Sequence, residues 1–323
     1  MKKYQLLVII VLFACARSAV GIKSCEDITN SLTKHGINVL RSEKMTGGFA
    51  DLVCKINTGS NFIVVKYFRD NQDFLNESKI FFASQNSNIT PKILKTFPEN
   101  RLIAMSFIDG KFVNFLDKRE AKLTRKFGSV LRQYHQIEYG DSPVRDIVLE
   151  KADKILPILH GDLRNKVLFV LEKYQKFNIK HPGICHGDSW KNNFLVNKND
   201  EVIVIDFSNS HRCSNVLLDL ADLVVSYSAH ESDEMHIMHG YFNRKPTKAE
   251  LSEVSLLKKF AKFKVALSVL ALLEGQEINL DDLILGEDWN YKTLNSAYEI
   301  GTKPFNPAEF AKALITEAFN DLR

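Results

Sequence analysis

Hydrophobic and polar positions divide the chain into a part with strand-like patterning and a longer part with helical spacing. Apolar runs at residues 52–56 and 62–68 flank the segment 57–61 of polar and small residues, which predicts a β-hairpin. Residues 73–85 have helical spacing, and two further short apolar runs follow them. Beyond residue 111 most apolar residues recur at helical spacing. The pattern therefore predicts an α+β protein with a small β-rich lobe followed by a larger α-rich lobe.

The α-rich part is predicted to contain six helices and two short strands. The helices are expected at residues 123–136, 144–159, 163–177, 216–228, 248–273 and 307–322, and the strands at 194–196 and 202–205. We therefore divide the chain into a leader over residues 1–20, an N-terminal lobe over 21–107 and a helical C-terminal lobe over 108–323.

The N-terminus has the order of residues that is typical of a secretory signal peptide. Lys2 and Lys3 give it a positive start, residues 6–13 are apolar without interruption, and small residues follow. The apolar run is shorter than the ~20 residues that a membrane span requires. We therefore expect secretory export or lipoprotein-type membrane anchoring. The alternative is an uncleaved N-terminal anchor that leaves the rest of the chain facing the cytoplasm.

The composition excludes several classes of protein. Hydrophobic residues make up 45% and charged residues 25% of the chain, as in ordinary globular proteins, which argues against disorder and collagen-like repeats. The 43 basic and 39 acidic residues give a net charge of +4, too small an excess to predict a nucleic-acid partner. The five cysteines form no C-x-x-C pair, so neither a zinc site nor a disulfide scaffold is expected. We expect buried or unreactive thiols.

The strongest chemical signal is a short motif followed by a strand. His186, Asp188 and Asn193 have the spacing H-x-D-x-x-x-x-N, and the strand beyond them ends in Asp206 and Phe207. Phosphoryl transfer uses one carboxylate to hold the attacking hydroxyl, and an amide oxygen with a second carboxylate to hold Mg²⁺ against the phosphates. A hairpin of two short strands places Asn193 and Asp206 side by side. The two could then share a metal ion.

Three upstream features agree with this chemistry. Lys66 lies within the apolar strand 62–68, where a lysine needs an acidic neighbour, and Glu77 in the following helix is the candidate partner. The alternative is a lysine at the sheet edge with an exposed tip. Gly47 and Gly48 could let backbone amides approach phosphates, although such a pair is more often a simple turn. The order of all five features along the chain favours a phosphotransferase.

These residues, with segments 76–94 and 101–110, resemble the family of choline/ethanolamine kinases and aminoglycoside phosphotransferases. The similarity extends from about Arg41 to Leu223. The resemblance implies a two-lobed protein-kinase-like fold, with ATP and Mg²⁺ as cofactors and a small-molecule hydroxyl as acceptor. The N-terminal lobe would bind the nucleotide, and the C-terminal lobe would hold the catalytic loop and the acceptor.

The resemblance also implies a role for each matching residue. Asp188 would be the catalytic base, and Asn193 and Asp206 the Mg²⁺ ligands. Lys66 would hold the α- and β-phosphates and Glu77 would orient Lys66. The remaining positions would cover the phosphates or support the catalytic loop: Gly47 and Gly48, and His186 and Asp219.

Several departures from the family pattern leave the acceptor open. Choline kinases carry tryptophans late in the chain that cage a quaternary ammonium, and the matching segment 263–272 has none. Choline or ethanolamine is the first expectation, followed by a sugar, an aminoglycoside or a thiamine-like molecule. Asp51 lies in the glycine loop, where an acidic group near phosphates is unfavourable, and Ser208 stands where choline kinases usually have Glu.

Two further hypotheses concern other classes of function. The leader and the altered glycine loop also fit an exported, catalytically silent kinase-like binding module. Four lysines, namely Lys258, Lys259, Lys262 and Lys264, are expected on the solvated face of an amphipathic helix, a face that would also suit peripheral contact with an acidic membrane. Three histidines, namely His230, His236 and His239, match no metal-ligand spacing and are expected in a solvated loop. The oligomeric state stays open.

Overall fold

The computed structural model describes the residues in eight ranges and falls into two compact units. The described residues are 22–45, 52–112, 120–138, 140, 142–227, 231–271, 294 and 306–323. Unit 1 comprises residues up to 112 together with 137–139 and 193–210, and unit 2 comprises 113–136, 140–192 and 211–323. The domain boundaries drawn from the sequence stay predictions.

The described elements confirm an α+β protein. The strands are β1 (Arg41–Lys44), β2 (Leu52–Asn57), β3 (Phe62–Tyr67), β4 (Ile93–Phe97), β5 (Leu102–Ser106), β6 (Gly110–Phe112), β7 (Gly183–Cys185), β8 (Phe194–Asn197), β9 (Val202–Val204) and β10 (His211–Cys213). The helices are α1 (Cys25–Lys34), α2 (Asn71–Ala83), α3 (Ala121–His135), α4 (Ile147–Ile155), α5 (Gly161–Lys176), α6 (Leu217–Tyr227), α7 (Glu231–Phe242), α8 (Lys248–Ala271) and α9 (Pro307–Leu322).

Unit 1 is built on a five-stranded antiparallel sheet with the order β1-β2-β3-β5-β4. Its central strands are apolar, and β2 alternates between buried and half-buried residues, as a strand does when one face covers a core. Helix α1 begins with a capping box between Ser24 and Asp27, and its residues Ile28 and Leu32 pack into that core. A second antiparallel sheet, β6-β8-β9, contains the predicted hairpin at 194–205.

Unit 2 is a set of packed helices with the short antiparallel pair β7–β10. Helices α3 and α7 approach closely at Gly128 and Gly240. A Cβ atom added to Gly128 would lie 1.9 Å from the carbonyl oxygen of Ile237, and one added to Gly240 would lie 1.9 Å from that of Arg125. Only glycine permits this contact, so both positions are fixed by packing. Helix α8 packs against α4, α6 and α9.

Most predicted elements are present, and the misses are short or weakly patterned. The strand β1 and the three-residue strands β6, β7 and β10 were not predicted. The expectation of a solvated loop around His236 and His239 is wrong, because both lie on helix α7. Within the part of the chain that the structure describes, no helix is long and apolar enough to cross a membrane.

Candidate active site

Lys66 is the centre of a buried charge network in unit 1. It lies on β3 and is 6% exposed. Its Nζ donates to Oε2 of Glu77 at 2.7 Å and to Oδ1 of Asp206 at 2.8 Å. The predicted ion pair between Lys66 and Glu77 is therefore confirmed, and the alternative of an exposed edge lysine is wrong. Two carboxylate contacts offset the cost of burying a lysine side chain and fix the direction of its Nζ.

Helix α2 places Glu77 and also contacts the segment that carries Asp206. The side chain of Asp70 caps its start by accepting hydrogen bonds from the amides of Gln72 and Asp73. Glu77 and Phe81 are one turn apart and share a face. The ring of Phe81 meets that of Phe207 edge-on, with 4.9 Å between centroids. One helix face therefore holds both Lys66 and the residue after Asp206.

Asn193 and Asp206 lie at adjoining ends of the β8–β9 hairpin. The amide of Ile205 donates to the carbonyl of Asn193 at 2.9 Å. Asp206 has a left-handed backbone with φ of +63°, which few residues other than Gly, Asn and Asp adopt readily. Ser208 Oγ donates to Asp206 Oδ1 at 3.0 Å, so this departure from the family pattern supports the carboxylate directly. The predicted adjacency is confirmed.

The donor types at this hairpin fit Mg²⁺. This ion prefers carboxylate and amide oxygens, and it usually takes one or two protein carboxylates together with phosphates and water. Asp206 supplies a carboxylate that is 39% exposed although Lys66 holds one of its oxygens. Asn193, at the adjoining end of the hairpin, carries an amide. Asn193 and Asp206 are therefore suitable protein ligands for the ion.

The motif around Asp188 forms a loop of unit 2, residues 186–189, which we call the catalytic loop after its predicted role. The loop follows β7 directly and turns at Gly187, whose φ is +78°. Asp219, at the start of α6, accepts hydrogen bonds from the amides of His186 and Gly187, the latter at 3.1 Å. Ser189 Oγ donates to the Asp219 carbonyl at 2.7 Å. Asp219 therefore buttresses this loop, as the resemblance implied.

Asp219 is kept ionised by its neighbours. Burial alone would raise the pKa of its carboxyl, but the hydrogen bond and charge of His135, with Lys264 and His186, hold that pKa below its usual range. His135 Nε2 lies 3.2 Å from Asp219 Oδ2, and its Nδ1 lies 2.8 Å from the hydroxyl of Tyr241. An anionic Asp219 is the form that accepts both amide hydrogen bonds of the catalytic loop.

Lys264 is a contributor to the catalytic loop that the sequence reasoning missed. Its side chain is buried on α8, donates to the carbonyl of Gly187 at 2.8 Å and forms an ion pair with Asp222. Burial alone would lower the pKa of the Lys264 amine, but Asp222 and Asp219 raise it and keep it charged. The expectation that Lys264 lies on the solvated face of its helix is wrong. A single lysine inside the apolar stretch 263–272 was the available signal.

The other three lysines of that predicted face contact acidic residues. Lys258 pairs with Glu234 at 2.7 Å and Lys262 with Glu317 at 2.8 Å, and Lys259 Nζ donates to a backbone carbonyl at 2.5 Å. Membrane contact through this face stays a prediction.

Four cysteines form two disulfides, one in each unit, so the expectation of buried or unreactive thiols is wrong for them. Cys25 pairs with Cys54 at a Cα–Cα distance of 5.8 Å. Cys185 pairs with Cys213 at 5.7 Å. The partners are 29 and 28 residues apart in sequence, and such separations carry no local signature.

Some predicted site residues lie outside the described residues. They are Gly47, Gly48 and Asp51 of the glycine loop, and the same holds for the leader and His230. Of the other predicted residues, the structure brings Lys66, Glu77, Asn193 and Asp206 together in unit 1. It brings His186, Asp188 and Asp219 together in unit 2.

Comparisons with solved structures show proteins of the same fold. Solved structures with a similar fold include a choline/ethanolamine kinase family protein from Mesorhizobium loti, with 18% identity and a TM-score of 0.62 over 88% of this chain and 92% of that one. A choline kinase from Streptococcus pneumoniae has 15% identity and a TM-score of 0.61, over 92% of this chain and 99% of that one. A GDP complex of an aminoglycoside 2′-phosphotransferase variant has 14% identity and a TM-score of 0.62, over 93% of this chain and 99% of that one.

Sequence comparison gives the family itself. No curated protein matches the chain significantly. The model of the family described as choline/ethanolamine kinase matches residues 42–253, which is more than half of the chain and spans Lys66, Asp188 and Asp206. On this match, and with the fold of the solved structures, the chain belongs to the choline/ethanolamine kinase family.

Proposed function

We propose that the protein is an ATP-dependent phosphotransferase that phosphorylates a hydroxyl group of a small polar molecule. The observation that carries the proposal is the Lys66 ammonium held between Glu77 and Asp206, at 2.7 and 2.8 Å. An ammonium held in one direction by carboxylates is the arrangement that phosphotransferases use to bind the phosphates of ATP. The family match supports the same activity.

The chemistry follows from the roles assigned to the residues. Lys66 binds oxygens of the α- and β-phosphates, and Glu77 keeps its amine pointed at them. Asp188 accepts the proton of the acceptor hydroxyl as the oxygen attacks the γ-phosphorus, and ADP departs with the bridging oxygen. Asn193 and Asp206 would hold Mg²⁺, which when bound offsets charge on the phosphates. No covalent enzyme intermediate is required.

Choline or ethanolamine is our first proposal for the acceptor, and an aminoglycoside, a sugar or a thiamine-like alcohol is the alternative within the family. The family model supports the first, and the aminoglycoside phosphotransferase among the similar folds supports the second. The test incubates the purified protein with ATP, Mg²⁺ and one alcohol at a time and detects phosphorylated product by mass spectrometry. A phosphorylated amino-alcohol is expected, and failure with every member of the panel would overturn the proposal.

A silent binding module is separated from an enzyme by nucleotide binding. We expect ATP to raise the melting temperature more in the presence of Mg²⁺ than without it, because Asn193 and Asp206 add metal-dependent contacts. A Lys55→Met variant is the matched control for Lys66→Met, since Lys55 lies on the neighbouring strand β2 and pairs with Glu43 at 3.7 Å. Loss of the shift in Lys66→Met alone is the expected result.

We also propose that the protein works outside the reducing cytoplasm, either exported or anchored by its N-terminus. Two disulfides support this, since such bonds persist in oxidising compartments and are rare in the cytosol. The signal-like leader supports it independently. Fractionating cells and sequencing the mature N-terminus tests the proposal, and a reduced protein found in the cytosolic fraction would contradict it.

A further inference from the structure

The Cys185–Cys213 disulfide lies directly beside the catalytic loop. Cys185 is the last residue of β7, and His186 follows it. Cys213 is the last residue of β10. The two strands pair over only three residues, with His211 opposite Cys185 and Cys213 opposite Gly183. The bond therefore joins the strand that leads into the loop to its only strand partner among the described residues.

The ladder of this strand pair is short, and single bridges flank it. They join His181 to Asn215 and Val144 to Arg212, and the amide of Arg145 donates to the carbonyl of Arg212 at 2.8 Å. A two-stranded ladder of three residues is marginal by itself, because isolated hairpins are scarcely stable in water. Cys185 and Cys213 lie 28 residues apart in sequence, so bringing the two strands together costs the entropy of closing that loop. The disulfide lowers this cost, because it already closes the loop in the unfolded chain. Val216 packs on both cysteines, which are buried, with 3% and 6% of their surface exposed.

The loop itself is contacted by α3, α6 and α8, and the ring of Tyr134 on α3 lies 5.5 Å from the ring of His186. Asp219 accepts its amides and Lys264 donates to the Gly187 carbonyl. These contacts fix the backbone of His186 and Gly187 with respect to α6 and α8. The position of β7, from which the chain enters the loop, depends on β10, on the disulfide and on packing against α3.

The second disulfide provides an internal control. Cys25–Cys54 joins helix α1 to strand β2 inside the core of unit 1, and none of the predicted site residues lies on either element. It closes a loop of nearly the same length, with sequence separations of 29 and 28. The chain-entropy contribution of the two bonds to stability is therefore nearly equal. If removing one disulfide slows catalysis and removing the other does not, the difference must come from where each disulfide lies.

We propose that the Cys185–Cys213 disulfide is a positioning device that fixes the catalytic loop, so that phosphoryl transfer requires its oxidised form. The proposal rests on the phosphotransferase function proposed above. Reduction by a dithiol breaks the S–S bond, places two electrons and two protons on the cysteines, and converts the dithiol to its own disulfide. The freed strand β7 then allows the loop to move, and turnover falls.

The first experiment compares Cys185→Ser/Cys213→Ser with Cys25→Ser/Cys54→Ser in the full-length protein. Hydrogen–deuterium exchange reports the amides of residues 186–188, and this readout needs no acceptor. We expect exchange at these amides to rise at least tenfold in the first variant and to stay within twofold of the wild type in the second. Equal exchange in the two variants overturns the proposal.

Kinetics with ATP and choline as probes give the second readout. In Cys185→Ser/Cys213→Ser we expect kcat to fall at least tenfold while KM for ATP changes less than twofold. In the control variant kcat stays within twofold of the wild type. Lack of transfer by the wild type would count against the proposed function, and the exchange result would still decide the positioning role.

A third measurement avoids any folding defect of the first variant. In the Cys25→Ser/Cys54→Ser protein the loop disulfide is the only one of the two that remains, so dithiothreitol acts on it selectively. We expect kcat to fall on reduction and to recover when the dithiol is replaced by oxidised glutathione, which takes up the two electrons and two protons as the S–S bond re-forms. Unchanged kcat on verified reduction overturns the proposal, as does alkylation of both cysteines in protein isolated without reductant.

Discussion

Replacing Glu77 by Gln removes one of the two carboxylates that neutralise Lys66. Both side chains are almost fully enclosed, with 7% of Lys66 and 1% of Glu77 exposed, so solvent screens the pair little. At 2.7 Å the gross attraction is about 6 kcal/mol for an effective dielectric constant near 20, and desolvation cancels much of it. Breaking a buried pair on one side costs about 3–5 kcal/mol. Because Asp206 still contacts Lys66, we expect the lower end, about 3 kcal/mol.

A double-mutant cycle with Lys66→Met tests this value. Each single variant leaves a buried charge without one partner, whereas Lys66→Met/Glu77→Gln leaves neither charge. We therefore expect the double variant to lose about 2 kcal/mol less unfolding free energy than the sum of the single losses. Urea denaturation, followed by tryptophan fluorescence and circular dichroism, measures the unfolding free energy of the wild type and of each variant. Additive losses within 0.5 kcal/mol, roughly the spread of independent sites, would refute the reasoning.

Two further predictions concern unit 2. Gly128→Ala should lower the unfolding free energy by about 3 kcal/mol, since the new Cβ would lie 1.9 Å from a backbone oxygen of α7. Lys122→Ala on the exposed face of α3 is the control. Equal denaturation midpoints for the two variants would contradict the prediction. Burial, with Lys264 and Lys154, lowers the pKa of Lys151 to about 8 although Asp188 and Asp222 oppose the shift. Between this value and its unfolded pKa near 10.5 the unfolded chain binds more protons, so stability should rise by about 1 kcal/mol from pH 8 to pH 9. Denaturation at the two pH values checks this, and Lys151→Met should abolish the rise.

The parts of the site that could be predicted from the sequence are those whose physical signal is local. A lysine in an apolar strand requires a carboxylate, and Glu77 lies only eleven residues beyond Lys66. The hairpin between Asn193 and Asp206 consists of two short apolar runs separated by a polar turn. Spacing alone therefore predicted both the ion pair and the adjacency of the candidate metal ligands.

The contacts that escaped prediction join residues far apart in sequence. Lys264 was taken for a solvated side chain because its partners, Asp222 and Gly187, are 42 and 77 residues away. The cysteine pairs have no motif, and five cysteines were too few to predict a disulfide scaffold, so unpaired thiols were expected. Helix α7 was missed since its apolar and polar residues do not segregate onto opposite faces.

The short strands β1 and β7 were not predicted for a second reason, which is that their own sequences carry no strand signal. The sequence of β1 is Arg-Ser-Glu-Lys, which has no buried residue and no apolar alternation, and it is a strand only because β2 pairs with it. Strand β7 has three residues and depends on β10 in the same way. Tertiary pairing decides such segments, and local propensity carries no signal for them.

The most direct test of the account is phosphate transfer by Asp188→Ala, with Asp162→Ala as the matched control. Both residues follow His-Gly in the sequence, but Asp162 lies in the first turn of α5 and pairs with Lys166 at 2.8 Å, with 73% of its side chain exposed. We expect Asp188→Ala to lower kcat at least a hundredfold, as loss of a general base does, while Asp162→Ala retains the wild-type value within twofold. Transfer that survives in Asp188→Ala at the wild-type rate would contradict the assignment of the catalytic loop.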